Sequence, residues 1–216
     1  TLPIWVAAAA RASTQALLGQ SFTINQQLEL PDGSEALLVP VHSAAVLEDG
    51  QKALAITFCE SGCSLDITRD LEVWVMVQWA QSVGVRQKEL PATSSTWLEV
   101  IPGMGVGRLG VGGEACLSKF ALDLLYQNLR PLVPLGSSLL LEVVFPRGVE
   151  LAKRTSNNAF GVIDGLALIG TQAEAQISAS PEQLKKIINQ LRFHCDEPSF
   201  QGAMTFVIGE NGLDLA

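Results

Sequence analysis

A chain of 216 residues that is 48% hydrophobic can bury a substantial core, and it suggests one large domain or one and a half. Its formal net charge of −8 argues against non-specific nucleic-acid binding, which needs Lys and Arg to neutralise phosphates. Four cysteines in a chain of this size do not make a disulfide framework, and no apolar run approaches the length of a membrane span.

The opening "TLPIWVAAAARAS" predicts a helix over 2–19, with Thr1 as its cap and Pro3 in the first turn. It lacks a basic lead and begins without Met, so it reads as a trimmed start rather than a signal peptide. Residues 7–10 are all alanine, a surface that lets a ligand or a backbone come close, tight packing against a sheet being the commoner use. In "SFTINQQLEL" Phe22, Ile24, Leu28 and Leu30 share one parity and predict a strand. Pro31, Asp32, Gly33 and Ser34 form a turn, and Leu37, Val39 and Val41 continue a second strand, so a hairpin is expected. Leu54, Ile56 and Phe58 alternate in a third strand. The run 71–79 carries Trp74 and Met76 on its second face, a pattern for a strand covered on both sides. Residues 97–101 add another.

"EACLSKFALDLLYQNL" predicts a helix with Ala115, Leu117, Ala121, Leu122, Leu124 and Leu125 on one face, stopped by Pro131 and Pro134. "SSLLLEVVF" is a buried strand ending at Pro146, "RGVELAKR" a short helix, and "GVIDGLALIG" a further strand. In "SPEQLKKIINQL" Ser180, Pro181 and Gln183 supply a capping box, and Leu184, Ile187, Ile188 and Leu191 an apolar face. "CDEPSFQGA" reads as a linker, and "MTFVIGENGLDLA" as the first strand and turn of a second, cut-off α/β domain.

Few side chains are placed for catalysis. His42 and His194 suit structural positions, and no triad, Walker loop, zinc helix or calcium loop is present. Cys59 and Cys63 are spaced C-x3-C and Cys195 follows His194, but the C-x2-C knuckle of zinc sites is absent. Reduced, semi-buried thiols in a cytoplasmic protein are expected, with no protein-bound metal. The segment "PGMGVGRLGVGGEA" is the densest in glycine. Gly105, Gly107 and Gly110 fit a G-x-G-x-x-G frame, but Asp123 lies nearer to Gly110 than the roughly 20 residues of a dinucleotide fingerprint. A mobile glycine loop over a pocket is the expectation. Arg147, Lys153 and Arg154, with Arg108 and Lys119, could hold carboxylates or form a solvated basic face. In "RTSNNAF" the polar run either supplies neutral ligand contacts or orders a turn before the next strand.

Several of these segments together resemble the cobalt-precorrin-5B C1-methyltransferase family of anaerobic cobalamin biosynthesis, the CbiD-like proteins. "LLLEVVFPRGVELAKRTSNNAFGVIDGLALIGT" is similar to that family's P-x-G-x-x-x-A-K-x-T-x-N and G-I-x-G-G-x-x-x-L-G-T motifs, through Pro146, Gly148, Ala152, Lys153, Thr155, Asn157, Gly161, Gly165, Gly170 and Thr171. "GMGVGRL" resembles its G-x-G-V-G segment, "GGEA" its G-E-P, and "ESGCSLDIT" an acidic segment ending D-V-T. The chain departs from the family where T-T-G-T-C would precede the alanines, where Cys63 and Ser64 replace an aspartate pair, at "TQA" after the late strand, and in lacking K-P-G-L after G-V-G.

The resemblance implies an α+β fold over 1–198, resembling a circularly permuted ribosomal S5 domain-2, with 199–216 as linker and first strand of a small parallel α/β domain. It implies methyl transfer from S-adenosylmethionine to a cobalt-precorrin tetrapyrrole; the negative charge and short apolar runs add the expectation of no nucleic-acid or membrane partner. Substrate contacts would fall to Lys153, Arg154, Thr155, Asn157, Gly105, Gly107, Glu114 and Asp66, and donor contacts to Gly209, Glu210, Asn211 and Gly212. A non-catalytic corrinoid-binding or scaffold protein is the alternative, and methyl transfer by the full-length protein separates the two. A phosphotransferase of the S5-like superfold is a third reading, for which ATP binding is the discriminating observation.

Overall fold

The computed structural model describes residues 1–60, 66–80, 97–111, 113–173 and 181–206. Its described elements follow from close packing of small side chains. The alanine-rich opening forms α1 (Leu2–Leu17), with Pro3 in the first turn. Residues 7–10 and Ala12 are buried completely, because α1 is packed against strands, hairpin and a second helix at once. Bulkier side chains would hold those elements apart. Thr14 and Ser13 turn their hydroxyls back to the Ala10 carbonyl, so neither brings an unpaired donor into the core. The Thr1 hydroxyl does not cap the first turn as the sequence suggests; it donates to the Gln172 carbonyl at 2.8 Å.

The expected hairpin is present as β1 (Asn25–Leu28) and β2 (Leu37–Pro40), paired antiparallel with Asn25 opposite Pro40. It is shorter than its apolar parity predicts. Ile24 lies outside it and is exposed, while Gln26 on the same parity is buried, with its amide donating to Thr23.

The main sheet has five strands. β3 (Ser43–Leu47), β4 (Lys52–Phe58), β5 (Glu72–Trp79) and β9 (Leu139–Val144) run antiparallel in turn, and β6 (Leu98–Pro102) completes it parallel to β9, in the order β3-β4-β5-β9-β6. Sequence periodicity misses β3, whose "SAAVL" has little apolar bulk. One sheet face is closed: Ala53, Ala55, Thr57, Val73, Val75, Val77, Leu141 and Val143 have no exposure. The other carries Leu54, Ile56, Phe58, Trp74 and Met76 only half-buried. The expectation of β5 covered on both sides is therefore corrected. The helix that packs on the sheet covers one face, and it selects small residues there and leaves the larger ones opposite.

Helix α2 (Lys119–Leu129) starts later than predicted. Ser118 is its cap, with the hydroxyl accepting from Ala121 N–H. Ala115 and Leu117, expected on the helix, instead form extended bridges to Arg108 and Leu168. Buried Asn128 on α2 accepts from Glu29 N–H and donates to the Glu29 and Leu124 carbonyls, fastening the hairpin to the helix with every amide hydrogen used.

The chain divides into two compact units, Thr1–Ala173 and Glu174–Ala216. In the second, α4 (Pro181–Cys195) follows the predicted helix; the capping box at Ser180 lies outside the described residues. Its Leu184, Ile187 and Ile188 form the expected apolar stripe and stay exposed. No helix among the described residues is long and apolar enough to cross a membrane.

Candidate functional site

Strand direction places most of the predicted site residues at one end of the sheet. Phe58 ends β4 opposite Glu72 at the start of β5; Trp74 pairs with Val144, and Val143 pairs with Pro102 at the end of β6. The carboxyl ends of β4, β6 and β9 thus lie at one end of the sheet. From β6 emerges the glycine segment, from β9 residues 145–160, and from β4 the connection holding Asp66.

The glycine segment is not an open loop. Gly103 N–H donates to the Val143 carbonyl and Phe145 N–H to the Met104 carbonyl, so it stays fastened to β9 as both leave the sheet. β7 (Gly105–Val106) then pairs parallel with β11 (Gly165–Leu166), and β8 (Arg108–Leu109) pairs antiparallel with β10 (Val162–Ile163). The predicted single strand over "GVIDGLALIG" is split because Asp164 adopts φ +69°. Gly105, at φ +77°, has no space for a side chain: a Cβ would stand 2.0 Å from the Phe145 carbonyl oxygen. Gly148 and Gly165 press on the Gly105 carbonyl from two further directions, at 2.1 and 2.0 Å from their own Cβ positions. Three distant backbones meet at one point, which only glycine permits. Gly107 is buried, with N–H donating to Leu166 and carbonyl accepting from Cys116. No backbone donor of Gly107 is left for a ligand. Gly105 and Gly107 are the knot that holds the site's segments together.

Helix α3 (Gly148–Ala152) rests on that knot. Arg147 and Glu150 pair on its exposed side, and the guanidinium holds the Glu150 carboxyl below its usual range. Lys153 and Arg154 follow, both exposed and without an ion pair among the described residues. Thr155 is fully engaged: its hydroxyl donates to the Ala152 carbonyl at 2.7 Å and accepts from Asn157 N–H. The turn-forming role therefore holds for this hydroxyl, which ends α3 and aims the next residues. Asn157 donates through Nδ2 to the Gly165 carbonyl at 3.2 Å, leaving its Oδ1 unpaired among the described residues. Of the other predicted cations, Arg108 donates to the Pro102 carbonyl and Lys119 pairs with Asp123.

Asn157, Gly105 and Gly107 thus share one assembly, with Lys153 and Arg154 on its solvent side. Glu114 is exposed beside β8, its carbonyl accepting from Leu109 N–H. The Asp66 carboxylate is occupied by Thr68 N–H and hydroxyl at 2.8 and 2.7 Å. Neither acid bonds to Lys153 or Asn157. Gly209, Glu210, Asn211 and Gly212, predicted to contact the donor, lie outside the described residues, as does Cys63. Periodicity gave no hint of the roles of Gly148 and Gly165; the available signals were that glycines recur in two segments far apart in sequence and that both residues stand in the family motif.

The described cysteines are free thiols, and none of the described residues form a group of three or more that could hold a metal ion. Burial pushes the Cys59 thiol up from 9.0 to about 12. A proton retained by the native state but lost by the unfolded one costs stability as pH rises, so the fold should weaken from about pH 9 towards pH 12. Cys59→Ala should flatten that part of the pH profile in chemical unfolding, and an unchanged slope would contradict the assignment.

The CbiD family model matches residues 1–176. A cobalt-precorrin-5B C(1)-methyltransferase from Prochlorococcus marinus (strain MIT 9313) is 62% identical over the whole of this chain and 56% of its own length. Another of that name from Parasynechococcus marenigrum (strain WH8102) is 56% identical, again over the whole chain and 57% of its own. The chain thus spans a little over half the length of these relatives. Among solved structures, a cobalamin biosynthesis protein (cbiD) from Archaeoglobus fulgidus superposes with a TM-score of 0.52 at 19% identity, over 89% of this chain and 57% of that one, and shares its α+β fold. With the family model running through both the glycine segment and the α3–Asn157 region, the chain belongs to the CbiD family.

Proposed function

We propose that this chain is the acceptor-binding part of a methyltransferase that moves a methyl group from S-adenosylmethionine to C1 of cobalt-precorrin-5B. The observation that carries the reading is local: two unpaired cations, Lys153 and Arg154, leave α3 immediately before Asn157, whose Oδ1 is unpaired and whose Nδ2 is anchored to the glycine knot. A tetrapyrrole precursor is a large ring fringed with carboxylates. Lys153 and Arg154 meet those carboxylates as exposed charges, Arg154 with two parallel donors. Asn157 fixes orientation, because its side chain is held on one side and free on the other. Thr155 acts through Asn157 by ordering the turn, and Gly105 and Gly107 by holding the floor. Glu114 and Asp66 border the same end of the sheet.

S-adenosylmethionine supplies an electrophilic methyl group on a sulfonium, and the ring carbon displaces it. Such a step asks the protein chiefly for alignment. Held contacts serve it better than an acid–base pair. Donor binding is assigned to Gly209, Glu210, Asn211 and Gly212, in a cytoplasmic protein. The permuted S5-like arrangement of the first domain belongs to the same reading.

Equilibrium titration with a cobalt corrinoid bearing free carboxylates tests it. The combined variant Lys153→Ala/Arg154→Ala should weaken binding by about tenfold, equivalent to ~1.4 kcal/mol. Asn157→Asp, which sets a negative charge towards the ring, should weaken it further. Lys153 and Arg154 are exposed, so the double variant should keep its melting temperature, whereas Asn157→Asp also sets a carboxylate oxygen against the Gly165 carbonyl and should lower it. Unchanged affinity in both variants would remove the cradle. Corrinoid binding without methyl transfer by the full-length protein would favour the scaffold reading, to which the replacement of the family's aspartate pair by Cys63 and Ser64 lends weight.

A further inference from the structure

Strand β3 closes one edge of the main sheet, and its only strand partner among the described residues is β4. Its sequence, Ser43-Ala44-Ala45-Val46-Leu47, carries no charge and no proline. Every residue but Ala44 is exposed, with Val46 at 49%. Edge strands in soluble proteins are ordinarily protected by lysine, proline, a bulge or a covering segment, because alternate residues turn unpaired N–H and C=O groups outward. β3 has none of the residue-level protections.

We propose that β3 is the contact strand of a two-fold dimer, pairing antiparallel with β3 of a second copy of this chain about Ala45. Three observations select a second copy as the occupant. The strand is self-complementary in size. With Ala45 opposite Ala45, Ser43 falls opposite Leu47 and Ala44 opposite Val46, so each larger side chain meets a smaller one and the smallest pair sits at the axis. It is self-complementary in charge: the flanking His42 falls opposite Glu48, and no like charges face each other. And it is a neutral strip on a chain of net charge −8, which would otherwise keep copies apart. A two-fold centred one residue either way leaves two residues of each strand without a strand partner, and centred on Val46 it sets two β-branched side chains against each other. The centred pairing joins two five-stranded sheets into one and covers Val46 of each copy with Ala44 of the other.

The test is mass and register together. Sedimentation equilibrium of the chain at micromolar concentration should give twice the chain mass, and Ala45→Lys, which sets like charges across the axis at an exposed position, should return it to the mass of one. In a background of Cys63→Ser and Cys195→Ser, Ala45→Cys should form an intermolecular disulfide under mild oxidation. Ser43→Cys should not, because antiparallel pairing keeps the two copies of residue 43 about 13 Å apart. A monomer at every concentration overturns the proposal. So does a dimer that cross-links through residue 43 rather than 45, or one whose amide-exchange protection falls outside β3.

Discussion

Gly105→Ala should yield no stably folded first unit, measured as loss of soluble protein and of a cooperative thermal transition. The reason is a collision with backbone, which cannot rotate away. The new methyl would stand 2.0 Å from the Phe145 carbonyl oxygen and 3.0 Å from Gly148 Cα, at a φ of +77° that already disfavours any side chain. Relief would require β7 to part from β11 or α3 to lift off, and either opens the core where Val106, Leu151 and Leu166 are buried. Gly110→Ala is the control. It has nearly the same backbone, φ +71°, but open space around the missing Cβ. It should cost only the left-handed penalty of about 1–2 kcal/mol and leave a folded chain. Equal melting temperatures for the two variants would show that the knot can relax, and would strip Gly105 of the role given to it here.

That contrast also explains what could be read from the sequence and what could not. Helix α1, the hairpin, β4, β5, β6, β9, α3 and α4 were legible because turn residues and periodic apolar positions are local signals. The inward face of the sheet was not. In β4 the eye takes Leu54, Ile56 and Phe58 as the core, yet Ala53 and Ala55 point to α1, because an alanine helix lies close only to a strand of small residues. β3 escaped for the same reason. At the site, the short helix and the polar run after it were visible, and Lys153 and Asn157 with them. The function of the glycines was not, since a clash between residues 105, 148 and 165 exists only once three distant backbones have met. Glycine frequency suggested freedom of movement; the fold uses the same residues for contact.

Phe145→Ala should lower stability by about 3–5 kcal/mol, the usual range for removing a buried aromatic ring. Phe145 is among the largest side chains with no exposure at all, at the point where β9 leaves the sheet. Its N–H donates to the Met104 carbonyl, and its own carbonyl accepts from Gly148 N–H. The buried ring anchors the residue whose backbone makes both bonds, and its loss leaves a cavity in the core at the point from which the α3 segment starts. For a unit of this size each kcal/mol moves the melting temperature by roughly 2–4 °C, so a fall on the order of 10 °C is expected. Phe145→Leu keeps most of the volume and should lose less than half as much. The decisive comparison is with Lys153→Ala. That side chain is exposed, so its removal should spare the melting temperature while weakening corrinoid binding. Phe145→Ala should lower the first and, through the slackened start of α3, the second as well, even at temperatures where the variant is still folded. Should Phe145→Ala bind corrinoid as the native chain does despite its lost stability, the route from core packing to Lys153 and Asn157 would be broken, and the cradle would have to be held in place by the β7–β11 and β8–β10 pairs alone.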